Sequence, residues 1–308
     1  MSIAVLPGDP GELTDPIGTR RELVRNSARR SLARRRLLGR IAIGLCVAAT
    51  AVSLTPLVAL AAYTTGRGLH ALSWGFLTHI PTPPGIPGGG ISNAIVGSVV
   101  IVGLASAMAI PVGIMAALFL IERRGRTANG LRFAADVLTG VPSIAIGIFA
   151  YAVFVEPLGH FSGLAGSFAL AVLMSPIVIR ASEAAMQSVP RDLWEAGLAL
   201  GIRRSRVVRS VVLRGALPGL VTGNLLAVAR AVGETAPLLF TVLGSQLFET
   251  NPLQPMAAMP LAIYSDSTAA FPAAQQIAWG AAFVLLVLVL VLSVVARLVS
   301  SRLNRQAH

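Results

Sequence analysis

Residues 274–296 read AQQIAWGAAFVLLVLVLVLSVVA and contain no charged side chain. A helix needs roughly 20 mainly apolar residues to cross a hydrocarbon core about 30 Å thick, so this segment is long enough to span a membrane. Outward from it, five more charge-poor stretches of spanning length occur, at 41–63, 93–121, 133–155, 161–179 and about 216–247. The sequence therefore predicts an all-α polytopic membrane protein with six transmembrane helices.

The composition of the 308 residues agrees with a membrane protein and excludes several enzyme classes. Hydrophobic residues make up 55 %, charged residues only 12 %, and the mean hydropathy is +0.75, whereas soluble domains carry about 25 % charge. All 25 basic residues are arginine, which excludes a Walker-type phosphate loop with its lysine. One cysteine, Cys46, excludes an internal disulfide and a cysteine-based metal cluster. We therefore expect this chain to bind no metal and no cofactor.

The arginines are distributed unevenly over the links between the spans, and this predicts the orientation. The N-terminal segment, the links after the second and fourth spans, and the C-terminal tail hold nine, four, seven and three of them, which is 23 of 25. Because arginine-rich links stay in the cytoplasm, both termini are predicted to be cytoplasmic. An arginine-rich terminus can also bind nucleic acid, but directly before a span we interpret it as a topology signal and expect no nucleic-acid partner.

The same links divide the chain into five parts. Residues 1–40 are an Arg-rich N-terminal segment that we expect to be partly disordered. Residues 41–63 are the first span, 64–92 an outer link rich in proline and glycine, 93–299 a core with five spans, and 300–308 a cytoplasmic tail.

The long inner link at 181–215 predicts a helical pair rather than a flexible loop. Pro190 can begin a first helix and Gly201 can end it, because these residues favour the two respective ends of helices. Ser205 is the expected cap of a second helix. Trp194 and its neighbouring leucines give the first helix an apolar surface, which needs a partner in either the protein's own spans or another subunit.

This link resembles the integral-membrane subunits of binding-protein-dependent ABC importers. Their shared signature is Glu-Ala-Ala, three residues, Gly, nine residues, Ile, one residue, Leu-Pro. Four positions match outright: Glu195, Ala196, Gly201 and Leu213. Gly197 stands at the third position of the signature, and Arg214 replaces its final proline. The resemblance implies the permease fold of type I ABC importers, with a coupling-helix loop in which these four residues serve contact with an ATPase.

The flanking sequence is similar to phosphate-importer permeases of the PstA type. The similarity lies in GVPSI at 140–144, SPIVIR at 175–180 and ARAVGETAPLLFT at 229–241, and extends over roughly 90–300. It implies a second homologous permease subunit, two ATPase subunits that bind ATP and Mg, an extracytoplasmic phosphate-binding protein, and inorganic phosphate as the transported anion. The chain itself would be a transporter subunit of the bacterial plasma membrane and not an enzyme.

Arg230 and Glu234 are the candidate residues of the substrate pathway. Arg230 lies twelve residues after Pro218, or about 18 Å along a helix, which is just beyond the midplane of the core. A charge there costs about 2.5–3.5 kcal/mol, whereas an exposed helical pair at this spacing returns only about 0.2–0.5 kcal/mol. An arginine suited to binding phosphate oxygens, balanced by a nearby carboxylate, explains the pair better than packing does.

Asp136 follows Arg132 by four residues, and we interpret these two as an interfacial ion pair.

Two alternatives stand beside a phosphate permease. A permease of the same architecture could carry another oxyanion, such as molybdate, sulfate or phosphonate. An intramembrane enzyme would need a paired nucleophile and base, or two carboxylates, at membrane depth, and the sequence places only Arg230 and Glu234 there.

Overall fold

The structure is a computed structural model that describes residues 16–83, 86, 88–123 and 125–306, and within those ranges the secondary structure is helical without strands. The chain divides at Ala62–Tyr63 into two units, and the described part of the first unit is most of helix α1, Pro16–Gly68. The expected partial disorder of 1–40 stays a prediction for residues 1–15, which lie outside the described residues. From Pro16 onward the structure is helical, since arginine, leucine and alanine all have high helix propensity.

The second unit holds the other helices. We call the long inner link at 181–215 the coupling loop. Up to this loop the helices are α2 Trp74–Thr78, α3 Ser92–Glu122, α4 Arg126–Gly140, α5 Ser143–Ala150, α6 Glu156–Leu158 and α7 Gly163–Gln187, with a π-helical turn at Tyr151–Val155. From the loop onward they are α8 Arg191–Ala199, α9 Arg204–Val207, a π-helical turn at Val208–Val212, α10 Leu213–Val232, α11 Ala236–Thr241, α12 Met259–Ser267 and α13 Pro272–Gln306.

Five continuous helices of the described chain are long and apolar enough to cross a membrane. They occupy 35–71, 92–122, 163–187, 204–232 and 272–302, and a bent helix pair gives a sixth span if its two halves are counted as one. The predicted architecture of six spans is confirmed in this form, and two of the predicted spans have a different shape from the one expected.

The third predicted span, 133–155, is not one straight helix. The axes of α4 and of the helical segment from Ser143 to Leu158 differ by 101° across a break at Val141 and Pro142. Pro142 lacks an N–H and its ring excludes a helical carbonyl four residues earlier. A residue before proline favours extended backbone, and Val141 has φ −69° and ψ 129°. The proline therefore produces a break and not merely a kink.

The fifth predicted span, about 216–247, was placed too far along the chain. Its helix begins within the coupling loop at Arg204, runs through the π-helical turn into α10, and ends at Val232. Gly233 has low helix propensity, and Pro237 cannot donate the hydrogen bond that a continuing helix would require. The chain resumes as the short helix α11 with Pro237 in its first turn.

A stripe of glycines on α10 determines how closely this helix packs on α7. Gly215, Gly219 and Gly223 recur every four residues and therefore share one face. A Cβ added at Gly219 or Gly223 would lie 2.8 Å or 2.6 Å from the Cβ of Ala185 or Ala181, respectively. Small residues at such spacing let two membrane helices approach until their backbones nearly touch. The spacing of four residues between these glycines is visible in the sequence, but the partner face on α7 is not.

Candidate functional site

The first helix of the coupling loop, α8, ends in the geometry that requires glycine. Gly201 has a φ of +73°, which is left-handed, so a side chain would strain the backbone. The N–H of Gly201 donates to the carbonyl of Leu198 at 2.9 Å, and the N–H of Ile202 to that of Gly197 at 3.3 Å. This pair of bonds is a Schellman motif. Pro190 precedes the helix as predicted, with Asp192 in the first turn.

The second helix of the loop begins two residues earlier than predicted. Arg203 precedes α9, and the side chain of Ser205 does not cap it, because Ser205 already lies inside the first turn. The two helices pack closely at Gly197, where a Cβ would lie 3.0 Å from Cγ2 of Val207. The glycine that replaces the third residue of the importer signature therefore makes room for Val207.

The apolar surface of α8 is divided between the protein's own spans and the exterior. Trp194 is half-buried against a cluster that includes Met186 and Val212, and it anchors the helix to the ends of α7 and α10. Leu193, Leu198 and Leu200 remain 51 %, 44 % and 79 % exposed. The sequence left open whether this apolar surface packs on the protein's own spans or on another subunit. One part of it, at Trp194, packs on the chain's own helices, and the three leucines remain exposed.

The four signature residues occupy different environments on this loop. Glu195 and Ala196 are exposed on α8, and Gly201 is exposed at its end. Leu213 is partly buried in the same cluster as Trp194, where the π-helical turn joins α10. Three of the four signature residues are therefore exposed on the loop, and the fourth, Leu213, packs in the cluster that holds Trp194.

Arg230 and Glu234, the candidate pathway residues, form a loose ion pair at the end of α10. Nε of Arg230 lies 3.6 Å from Oε1 of Glu234, too far for a hydrogen bond, and the two side chains are 65 % and 19 % exposed. Arg230 lies in the last turn of α10, where the helix dipole favours a cation. Glu234 lies beyond the helix end, not one helical turn on as expected. Among the described residues the guanidinium has no hydrogen-bond acceptor, so its donors are available.

Sequence reasoning did not identify Glu183, which is the centre of a buried polar network. Glu183 is 4 % exposed. One of its carboxylate oxygens accepts hydrogen bonds from Nε of Arg132 at 2.8 Å and from Nε2 of Gln187 at 3.2 Å. The other oxygen accepts from Nη1 of Arg180 at 3.2 Å. Asp136 completes what we call the Glu183 network by pairing with Arg180, whose Nε donates to it at 3.0 Å. This network connects α4 to the end of α7, where the chain enters the coupling loop.

The predicted ion pair between Arg132 and Asp136 is wrong. Arg132 instead pairs with Glu183, and its Nη2 donates to the carbonyl of Leu120 at 2.8 Å. The spacing of four residues was a correct signal for a shared helix face, but each residue finds its partner on α7. Tertiary partners replaced the local pair because Glu183 is buried and needs several donors.

The two short helices that follow the broken spans pack on each other. α11 follows the end of the fifth span and α5 follows the break in the third. Gly147 of α5 lies so close to α11 that a Cβ there would be 2.8 Å from the Cα of Pro237. Both breaks therefore belong to one contact region of the second unit.

The comparisons with known proteins define the class. A family model described as "Binding-protein-dependent transport system inner membrane component" matches residues 109–305. This chain belongs to that family and is a multi-pass membrane protein. Its fold is that of the permease subunits of type I ABC importers.

Several curated relatives share a more particular name. The chain is 38 % identical over 278 residues to the phosphate transport system permease protein PstA of Yersinia pestis, and the match covers 90 % of this chain and 94 % of the relative. It is 42 % identical to PstA of Haemophilus influenzae, over 75 % of this chain and 83 % of the relative. It is 36 % identical to PstA 1 of Mycobacterium tuberculosis H37Rv, over 88 % and 91 %.

A solved structure supports the same architecture. The chain is similar, with a TM-score of 0.57 and 18 % identity, to a chain of the MetNI methionine ABC transporter in an inward-facing conformation. The match covers 71 % of this chain and 96 % of that one. At this identity the likeness concerns the fold alone.

Proposed function

We propose that this chain is one permease half of an ATP-driven importer for inorganic phosphate, and that Arg230 contacts the anion on its way through. The observation that carries the proposal is a 65 % exposed guanidinium at the end of a spanning helix, with its carboxylate partner 3.6 Å away. Names of relatives at 36–42 % identity over most of the chain support phosphate as the substrate class.

The chemistry of the pair suits a passing anion rather than a tight site. A guanidinium offers a planar fork of donors that matches two phosphate oxygens. Glu234 keeps the empty site close to neutral, so that the anion is attracted by Arg230 and opposed by the carboxylate. Binding that is favourable on entry and weak enough for release is what conduction requires.

The coupling loop is the proposed contact with the ATPase. Three exposed leucines on α8 and its C-cap offer an apolar surface of a kind that a groove on another subunit can cover, and the signature acid Glu195 is exposed on the same helix. Trp194 and Leu213 would carry movement of α8 into the ends of α7 and α10, because they pack on both. The full assembly in this proposal holds a second permease, two ATPases with ATP and Mg, and an outer phosphate-binding protein.

Uptake of labelled phosphate by cells that carry the whole importer tests the substrate. We expect unlabelled phosphate to compete fully, and molybdate, sulfate and phosphonate to compete at least about tenfold less well. Stronger competition by one of these oxyanions would assign the pathway to that anion and contradict phosphate, while leaving the permease architecture intact.

Two substitutions test the coupling loop. Glu195→Lys and Gly201→Val should lower substrate-stimulated ATP hydrolysis, the first by reversing an exposed charge on α8 and the second by straining a left-handed residue. Membrane insertion should persist, because neither residue lies in the apolar part of a span. Asp192→Lys is the matched control on the same helix. Normal hydrolysis and uptake in both variants, or an equal loss in the control, would contradict the assignment.

A further inference from the structure

Four arginines around the second helix of the coupling loop have no acidic partner among the described residues. Arg203, Arg206, Arg209 and Arg214 line a cavity of about 400 Å³ together with Ser205 and Ser210, and no carboxylate lines it. By contrast, Arg132 and Arg180 on neighbouring helices are both paired. Uncompensated positive charge is concentrated at this one place on the loop.

The π-helical turn brings these charges together. In an α-helix, residues five apart point in different directions, whereas a π turn bonds residues five apart and places them above one another. Arg209 and Arg214 have this spacing, with Arg209 inside the turn Val208–Val212 and Arg214 two residues beyond it. Val207, Val208 and Val212 are buried on the opposite side. π-helical turns are rare and often occur at functional sites, and this one carries Arg209, which lines the cavity beside Arg206 and Arg214.

We infer that this cavity binds a phosphate group on the side of the membrane that the arginine distribution predicts to be cytoplasmic. Guanidinium forks and serine hydroxyls are the groups that recognise phosphate oxygens. The bearer is either the headgroup of an anionic phospholipid or free inorganic phosphate. Both fit the position, because Arg214 comes directly before the apolar part of the span and the cavity is open to solvent. This inference does not depend on which anion the pathway transports.

A role in topology alone does not explain the geometry. Orientation of spans needs positive charge near their ends but no convergence of side chains. Arg123 and Arg126 supply such charge on the adjacent inner link, and neither lines this cavity. A phosphate site built on guanidinium forks loses affinity when its arginines become lysine, whereas a topology signal works equally with lysine. Replacement by lysine therefore separates the two roles.

The test uses the whole importer, with both permeases and its ATPase subunits, in nanodiscs. One arm titrates inorganic phosphate onto importer in nanodiscs of phosphatidylcholine alone, in an Arg230→Gln background that removes the pathway arginine. The other arm omits phosphate, adds phosphatidylglycerol to the nanodiscs, and counts retained lipid by native mass spectrometry. Each arm compares three double variants. The first changes Arg206 and Arg209 to glutamine, the second changes the same two residues to lysine, and the control changes Arg123 and Arg126 to glutamine.

We expect the glutamine pair to lower affinity for the recognised phosphate bearer by about tenfold or more, the lysine pair to lower it several-fold, and the control pair to leave it unchanged. Loss in the lipid arm identifies a headgroup, and loss in the phosphate arm identifies the free anion. Three outcomes would overturn the inference. They are no change in binding in either arm, unchanged binding in the lysine pair, and release of the ATPase subunits by the glutamine pair while binding of both phosphate and lipid is unaffected. The last result would assign the cavity to a protein contact.

Discussion

The Glu183 network and the Arg230–Glu234 pair both place charges on helices that cross the membrane, but they differ in how completely each charge is paired. The carboxylate of Glu183 is 6 % exposed and accepts from three side chains. The guanidinium of Arg230 is 65 % exposed, and the one carboxylate near it lies beyond hydrogen-bond distance. The first set of charges is saturated by the protein, and the second retains donors for something else.

The difference separates a structural use of charge from a functional one. A buried charge is costly unless several partners compensate it, and Glu183 has such partners from α4 and α7. A charge that lines a pathway must instead keep part of its hydrogen-bonding capacity free. Pairing within the fold is therefore a better guide to role than depth in the membrane, which was the criterion available from the sequence.

The largest effect on stability is expected from Glu183→Ala. The substitution leaves Arg132, Arg180 and Gln187 without their common acceptor, and we expect a loss of about 3 kcal/mol in the free energy of unfolding. This lies at the lower end for a buried pair, since both arginines are partly exposed. Thermal unfolding in detergent and the abundance of assembled importer measure it. Glu195→Ala, at an exposed site, is the control, and equal stability of the two variants would contradict the structural role of Glu183.

Arg230→Gln should have the opposite profile, with uptake lost and stability kept. If Arg230 contacts phosphate as proposed, removing its fork should lower uptake per assembled complex by about a hundredfold. Arg230→Lys should also lower it substantially, because a point charge lacks the fork. Abundance should stay near normal, since Arg230 has no hydrogen bond within the described residues.

The double variant Arg230→Gln with Glu234→Gln distinguishes a pathway from a structural pair. A pathway role predicts that uptake remains lost, because no cation is left for the anion. If Arg230 and Glu234 only neutralise each other, then removing both charges should restore uptake. Near-normal uptake, normalised to assembled complex, would contradict the pathway role and make Arg230 and Glu234 a structural pair like the charges of the Glu183 network.

Asp136→Asn is expected to have a small effect, although Asp136 belongs to the Glu183 network. Its side chain is 60 % exposed, and Arg180 keeps Glu183 as a partner after the change. Exposed ion pairs contribute about 0.2–1 kcal/mol, so the melting temperature should fall only slightly. A loss as large as that of Glu183→Ala would mean that the network acts as one unit and not around Glu183.

The smallest effect is expected at Asp266, a half-buried acid on α12. Burial raises the pKa of Asp266 above its ordinary value, so the charged form disfavours the folded state. Stability therefore falls as pH rises through the folded pKa and is constant above it. Asp266→Asn should raise the melting temperature slightly at neutral pH and not below pH of about 3.8. A lower melting temperature at neutral pH would indicate an interaction that compensates the burial.

Much of the fold follows from the sequence, because membrane spans are determined by runs of apolar residues. The sixth predicted span, 274–296, lies within α13, and the positions of Pro190 and Gly201 correctly marked the ends of α8. The third and fifth spans deviated because hydropathy does not register where a backbone N–H is lost. Val141–Pro142 and Gly233–Pro237 end helices inside stretches that are still apolar enough on average to be taken for continuous spans.

The candidate site was only partly predictable for a related reason. Arg230 and Glu234 were conspicuous as charges inside an apolar segment, and the structure places them near each other. The partners of Arg132 and Asp136 come from α7, 51 and 44 residues away. Such pairing depends on helix packing, which no local spacing contains. The arginine cavity depends in the same way on the π-helical turn.

The glycine stripe of α10 has a mechanical consequence. Where Gly219 and Gly223 meet Ala185 and Ala181, rotation or sliding of one helix would drive side-chain carbons into the other backbone. The coupling loop is attached at both ends to this clamped pair, so a force applied at α8 acts on α7 and α10 together. We expect the pair to move as a single stiff lever, with bending confined to the broken third span and the chain after Val232. An ATPase that pushes on the loop would then tilt two spans in one stroke.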